Sequence, residues 1–221
     1  MTLTRAASAE AIGTAMLLAI IVGSGIMGDR LAQGNAAVAL LANSIATGAG
    51  LYALIIMFGP VSGAHFNPAV SAVSAWHGRL PWDHSIVYIV AQLLGAFAGV
   101  IAAHAMFGLP IVQISAHVRP TIGEGLGELI ATFGLVLVIS LGLEFRADAI
   151  PIAVAMFITS AYWFTSSTSF ANPAVTLARA TTDTFAGISP QSVPMFIGGQ
   201  IIGSAAAAIF ARWLLESNCD S

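Results

Sequence analysis

Apolar stretches long enough to cross a bilayer recur six times along the chain, at about 9–28, 36–58, 84–107, 122–143, 148–166 and 192–215. Each is close to the roughly 20 residues that span a hydrocarbon core. Polar and turn residues punctuate them at Gly28 to Arg30, Gly34 and Asn35, Pro81 to Asp83, Arg119 and Pro120, Arg146 to Asp148, and Ser189 and Pro190, so the loops are short. Two shorter pieces remain, 67–78 and 172–182, and each opens with Asn-Pro-Ala-Val. Asparagine caps a helix through its side-chain oxygen, and proline at the first helical position loses no needed donor. Each motif therefore predicts a helix start. About ten residues at about 1.5 Å each reach about 15 Å, half of a core about 30 Å thick. Two such half-helices entering from opposite faces meet at the midplane.

The chain also repeats itself. 'AEAIGTAMLLAI' parallels 'GELIATFGLVLV', matching Glu10 with Glu128 and Thr14 with Thr132. 'HFNPAVSAV' parallels 'FANPAVTLA', and 'AQLLGAFAG' parallels 'GGQIIGSAA', matching Gln92 with Gln200. The repeats cover about 1–115 and 116–221. Three spans per repeat is an odd number, so the second enters the membrane from the opposite face. The predicted fold is an all-α membrane protein of one domain, 1–221, with six transmembrane helices and two half-helices. Gly95 and Gly99, and Gly199 and Gly203, fall at the spacing that lets membrane helices cross closely. Glu10 and Glu128 are costly inside a membrane unless paired. We expect each carboxylate to accept hydrogen bonds from the irregular backbone leading to its own half-helix.

Composition narrows the class further. With 57% apolar and 8% charged residues, the chain lies far from a soluble domain. The seven basic residues are scattered arginines and the net charge is -3, which argues against a nucleic-acid partner. Arg5, Arg79, Arg146 and Arg212 share one side and Arg30, Arg119 and Arg179 the other, a slight lean toward cytoplasmic termini. Trp82 and Trp213 suit the headgroup layer on one side. The apolar run after Arg5 reads as a retained span. Cys219 has no second cysteine to pair with. No cluster of histidines and acids suggests a metal, and no cofactor is expected. His104 reads as a core residue, and His77, His84 and His117 as residues near span ends. Ser62 and His65 lie close in sequence but lack a third orienting group, which argues against a hydrolase. Inverted repeats with broken helices also occur in secondary transporters, but the interiors of the spans offer no Asp for a coupling-ion site.

Through 'SGAHFNPAV', 'SFANPAV', the repeated Glu-x-x-x-Thr and the six-plus-two layout, the chain resembles the aquaporin and aquaglyceroporin family over nearly its whole length. The resemblance implies a passive channel for water and small neutral solutes, and a homotetramer with one pore per subunit. Its pore motifs are Asn67, Pro68, Ala69 and Asn172, Pro173, Ala174. Each half-helix aims a partial positive charge of roughly +0.5 at the midplane, where the two asparagine amides donate to passing solute and cations meet a barrier. His65 resembles the family histidine of the cytoplasmic vestibule.

Water-selective members carry Arg directly after the second motif, and this chain has Val175. By spacing, the other positions of that selectivity filter are Thr47 and Ser169. Counting back from Asn172 gives Ser160 for the fifth-span position, and counting forward from Pro151 gives Tyr162. An isopropyl group in place of a guanidinium predicts a wider, uncharged filter. Arg179, one turn beyond Val175, is expected to tie a loop, with a lean toward the pore as the alternative. Val175 within 'AYWFTSSTSFANPAVTLARA' resembles the bacterial aquaglyceroporins associated with arsenic-resistance operons. That resemblance implies permeation by arsenite and methylated trivalent arsenicals and a place in a bacterial inner membrane, with a general glycerol facilitator as the alternative.

Overall fold

The computed structural model describes residues 1–216, which are helical with no strand among them; Cys219 lies outside the described residues. Six helices are long and apolar enough to cross a membrane. They are α1 (Leu3–Ala32), α2 (Ala36–Ser62), α4 (Trp82–Phe107), α5 (Ile122–Phe145), α6 (Ile150–Phe164, entered through a 3-10 turn at Ala147–Ala149) and α8 (Val193–Glu216). Two short helices lie between them: α3 (Pro68–Trp76) and α7 (Pro173–Arg179). Local chemistry sets several starts. Asn35 caps α2 by accepting from the backbone of Ala37 and Val38, and Thr121 with Glu124 forms a reciprocal capping box on α5.

The order long, long, short, long occurs twice. The packing repeats with it: α1 lies along α4 as α5 lies along α8, while α3 touches α8 as α7 touches α4. Six crossings leave the first and last helices open toward the same side. The polarity pattern is that of a protein solvated by lipid. Ile86, Val90, Leu94, Phe97 and Ile101 of α4 are exposed, whereas Glu10, Thr14, Gln92, Glu128, Thr132 and Gln200 are fully buried.

Close helix crossings rest on the two glycine pairs. A Cβ at Gly95 or Gly99 would run into the α1 backbone at Ala11 or Ala15, and one at Gly199 or Gly203 into the α5 backbone at Gly125 or Leu129. Backbone cannot swing aside as a side chain does. Gly203→Val is therefore expected to lower stability by about 3 kcal/mol or more. Thermal unfolding in detergent would measure this, against Gly198→Ala, which meets open space and should change little.

The half-helices are shorter than the sequence suggests, nine and seven residues. α7 stops at Arg179 because loops take its last carbonyls: Ile188 N donates to Arg179 O, and Ser115 N donates to Ala180 O.

Candidate functional site

The two Asn-Pro-Ala motifs meet tip to tip inside the helix bundle. Asn67 accepts from Ala69 N at 2.9 Å, and Asn172 accepts from Ala174 N at 3.0 Å, so each side-chain oxygen caps its own half-helix. The amide nitrogens cross over. Asn67 Nδ2 donates to Ala171 O and Asn172 Nδ2 donates to Phe66 O, both at 2.8 Å. An amide carries two N–H donors. Each asparagine is thus fixed by one donor and keeps a second.

The chain reaches these tips through backbone that side chains rarely adopt. Ala64 and Phe66 before the first motif, and Ser169 and Ala171 before the second, have φ between 47° and 51°. Such left-handed residues cost about 1–2 kcal/mol each unless their surroundings hold them. Two buried carboxylates do the holding. Glu10 Oε1 accepts from His65 N at 2.9 Å and Ser62 Oγ at 2.6 Å, and Oε2 accepts from Phe66 N at 2.6 Å and Gln92 Nε2 at 2.8 Å. Glu128 accepts from Phe170 N and Ala171 N, both at 2.8 Å, and from Gln200 Nε2 at 2.6 Å. The glutamines then reach the half-helices, Gln92 to Ser71 Oγ and Gln200 to Thr176 Oγ1. Ser62 and Ser167, each five residues before an asparagine, accept from Ala64 N and Ser169 N. These hydroxyls are partners that motif reading missed. Their signal is present in the sequence, because Ser71 and Thr176 both stand four residues after an asparagine.

A cavity of about 710 Å³ runs past both asparagines. On the side of the termini it is lined by Arg79, Ala147, Asp148 and His65, among others. His65 Nδ1 lies 3.0 Å from Ser71 Oγ, and its ring stands edge-on to Tyr88 at 5.5 Å. Beyond the asparagines the lining includes Thr47, Tyr162, Ser169, Val175 and Arg179. Thr47 Oγ1 and Tyr162 OH are 3.2 Å apart, which joins α2 to α6 across the cavity wall.

Ser160 is a correction. It is exposed on the outer face of α6, its hydroxyl donates to Phe157 O at 2.7 Å, and it does not line the cavity. Two residues of helix turn the chain by roughly 200°, so only one of Ser160 and Tyr162 faces inward. Arg179 both ties a loop, donating from Nε to Ala186 O, and lines the cavity. Its guanidinium lies 3.4 Å from the Phe170 ring centre, and that of Arg119 covers the same ring at 5.1 Å. Among the remaining histidines, His104 sits between Ile111 O and Thr182 Oγ1 at 3.0 and 2.8 Å, a satisfied core residue. Among the described residues no cluster of three or more His, Cys, Asp or Glu could hold a metal.

Six spans, two half-helices meeting at their capped ends and a cavity running between them define a membrane channel. Comparison with known proteins gives the family. The family model for major intrinsic protein matches residues 1–143. The aquaglyceroporin AqpS of Rhizobium meliloti (strain 1021) is 51% identical over 214 residues, covering 97% of this chain and 91% of the relative. A probable aquaporin, AqpM of Archaeoglobus fulgidus, is 32% identical over 246 residues, covering 98% and 99%. The X-ray structure of the aquaglyceroporin from Plasmodium falciparum superposes with a TM-score of 0.73 over 95% of each chain at 21% identity, a likeness of fold. The chain belongs to the major intrinsic protein family. It is an integral membrane channel that passes water and small solutes passively, and not an enzyme.

Proposed function

We propose that the chain conducts water and small neutral polyhydroxyl solutes of the glycerol class, including arsenite and methylated trivalent arsenicals, through a filter widened at Val175. The observation that carries this reading is the cavity lining beyond the asparagines, where Thr47, Ser169 and Val175 are small and the aromatic Tyr162 is tied back by hydrogen bonding to Thr47. The likeness to a relative named as an aquaglyceroporin supports the same solute class. Arsenous acid at neutral pH is an uncharged tri-hydroxyl molecule. It matches glycerol in hydrogen bonding, and each methyl group adds apolar surface that suits Val175 better than a guanidinium.

In this reading Asn67 and Asn172 form the central constriction, each offering its free N–H to the solute. Thr47, Tyr162, Ser169 and Val175 form the filter, His65 lines the vestibule, and Glu10 and Glu128 hold the half-helix loops. Residues 1–115 and 116–221 are two inverted repeats of one channel domain, which assembles as a homotetramer in a bacterial inner membrane with its termini in the cytoplasm. A solute panel in proteoliposomes tests the reading: water, glycerol, arsenite and methylarsenite should all enter faster than into empty vesicles, with no dependence on a proton or sodium gradient. Normal water flux with no arsenite or methylarsenite flux would sink the arsenical assignment and leave a glycerol or water channel.

A further inference from the structure

Arg179 is 2% exposed and makes no ion pair among the described residues, whose two salt bridges are both on the surface. A buried cation without a carboxylate is costly, and inside a membrane it marks a function or a water-filled path. What surrounds it compensates only in part. Nε donates to Ala186 O, and the Phe170 ring face lies against the guanidinium. The terminal nitrogens carry four further N–H donors, and none has a hydrogen-bond partner among the described residues. Tying a loop explains one donor of five. The residue lines the cavity, so the terminal nitrogens lie at its edge with no hydrogen-bonding partner among the described residues to hold them.

The position of the guanidinium follows from helix geometry. Residues four apart share a face, and side chains on a helix slope toward its N-terminus, covering the turn before their own Cα. Arg179 therefore leans back over the turn that begins at Val175, toward the midplane rather than away from it. Its resting place on Phe170 fixes the depth, because Phe170 is the neighbour of Ser169, which lines the same part of the cavity. Arg119 stacks on Phe170 as well and donates to Ser167 O at 2.9 Å, but it does not line the cavity. Arg119 steadies the ring and Arg179 uses it as a platform.

We propose that Arg179 is a specificity-determining residue that supplies, from one turn further along α7, the positive charge and hydrogen-bond donors that Val175 lacks. The filter is then wide but not uncharged: the isopropyl group gives room, and the guanidinium at its edge repels cations while donating to the oxygens of neutral hydroxylated or carbonyl-bearing solutes. This rests on the cavity being the conducting path.

Guanidinium ion and urea, a cation and a neutral molecule of the same planar shape, separate charge from size. In proteoliposomes the wild-type chain should pass urea and exclude guanidinium. A unit charge within several ångströms of the path is worth about tenfold or more in partitioning. Arg179→Met, which keeps a long side chain over Phe170 without charge, should raise the guanidinium-to-urea flux ratio by about that factor. Arg179→Gln, which keeps a donor for Ala186 O, should raise it equally, and Arg179→Lys should leave it near the wild-type value. The ratio is independent of how much channel inserts. Unchanged ratios in both neutral variants, or the same rise in Lys as in Met, would overturn the proposal in favour of a loop tie alone. Absence of urea and water flux through the wild-type chain would instead count against the conducting path itself.

Discussion

Glu128→Ala is expected to cost about 3–6 kcal/mol, enough to abolish a stable channel, because it strands three buried donors at once. Phe170 N, Ala171 N and Gln200 Nε2 all donate to this carboxylate, and no water-filled surface is at hand to replace it, since Glu128 is fully buried. The loss spreads beyond the missing bonds. Thr168, Ser169 and Ala171 sit at positive φ, a conformation that persists only while their surroundings dictate it. Without Glu128 the loop is free to relax, and Asn172 leaves the midplane with it. Glu124, one turn earlier on the same helix, provides the comparison. Its carboxylate serves an exposed capping box with Thr121, and Glu124→Ala should cost only about 1 kcal/mol. Thermal unfolding in detergent and water flux in proteoliposomes report both. Equal, small losses at the two positions would mean that the carboxylate does not hold the loop. Glu128→Gln, which can still accept one backbone N–H, should fall between them.

Features encoded by local chemistry were legible in the sequence. An asparagine cap followed by proline at the first helical position is a local helix-start signal, so the starts of α3 and α7 could be read from four residues each. Span length and the glycine spacing are similarly local. Features that depend on how one element meets another were not. The end of α7 is decided by loops whose backbone donors fold back onto it, Ile188 from nine residues on and Ser115 from the other half of the chain. The choice between Ser160 and Tyr162 depends on the rotation of α6, which shows in the contact of Tyr162 with Thr47. Counting residues from either end cannot supply that angle. The depth of the Arg179 guanidinium depends on Phe170 and Ala186, and neither residue type signals a cation partner by itself.

The same two valines that close the motifs show why a local signal has a limited reach. Val70 and Val175 stand at equivalent positions, and both line the cavity. What differs is the residue one turn on, Ser74 in the first half-helix and Arg179 in the second, with Ser74 also lining the cavity. The two ends of the path are therefore built alike in backbone and unlike in charge. A lone cation, Arg179, stands beside the proposed filter, whereas the opposite mouth carries both Arg79 and Asp148.

Val175→Arg is then expected to cut glycerol and arsenite flux by about tenfold or more, a barrier increase of about 1.4 kcal/mol or above, while water flux falls by less. A guanidinium fills space that the isopropyl group leaves open, and water needs less of that space than a tri-hydroxyl solute. The new cation also lies on the same helix face as Arg179, four residues away, so the two guanidinium groups repel. One of them must yield. If Arg179 withdraws toward Ala186, the filter keeps one charge and narrows. If the new arginine is displaced instead, the opening is blocked outright and water flux drops with solute flux. Val175→Leu separates bulk from charge: it narrows the path modestly without adding a donor, and it should reduce glycerol, the bulkiest of these solutes, before it affects arsenite, methylarsenite or water. Stopped-flow measurement of water and glycerol entry, with arsenite uptake in the same vesicles, distinguishes these cases. Solute and water fluxes unchanged by Val175→Arg would mean that residue 175 does not face the conducting path.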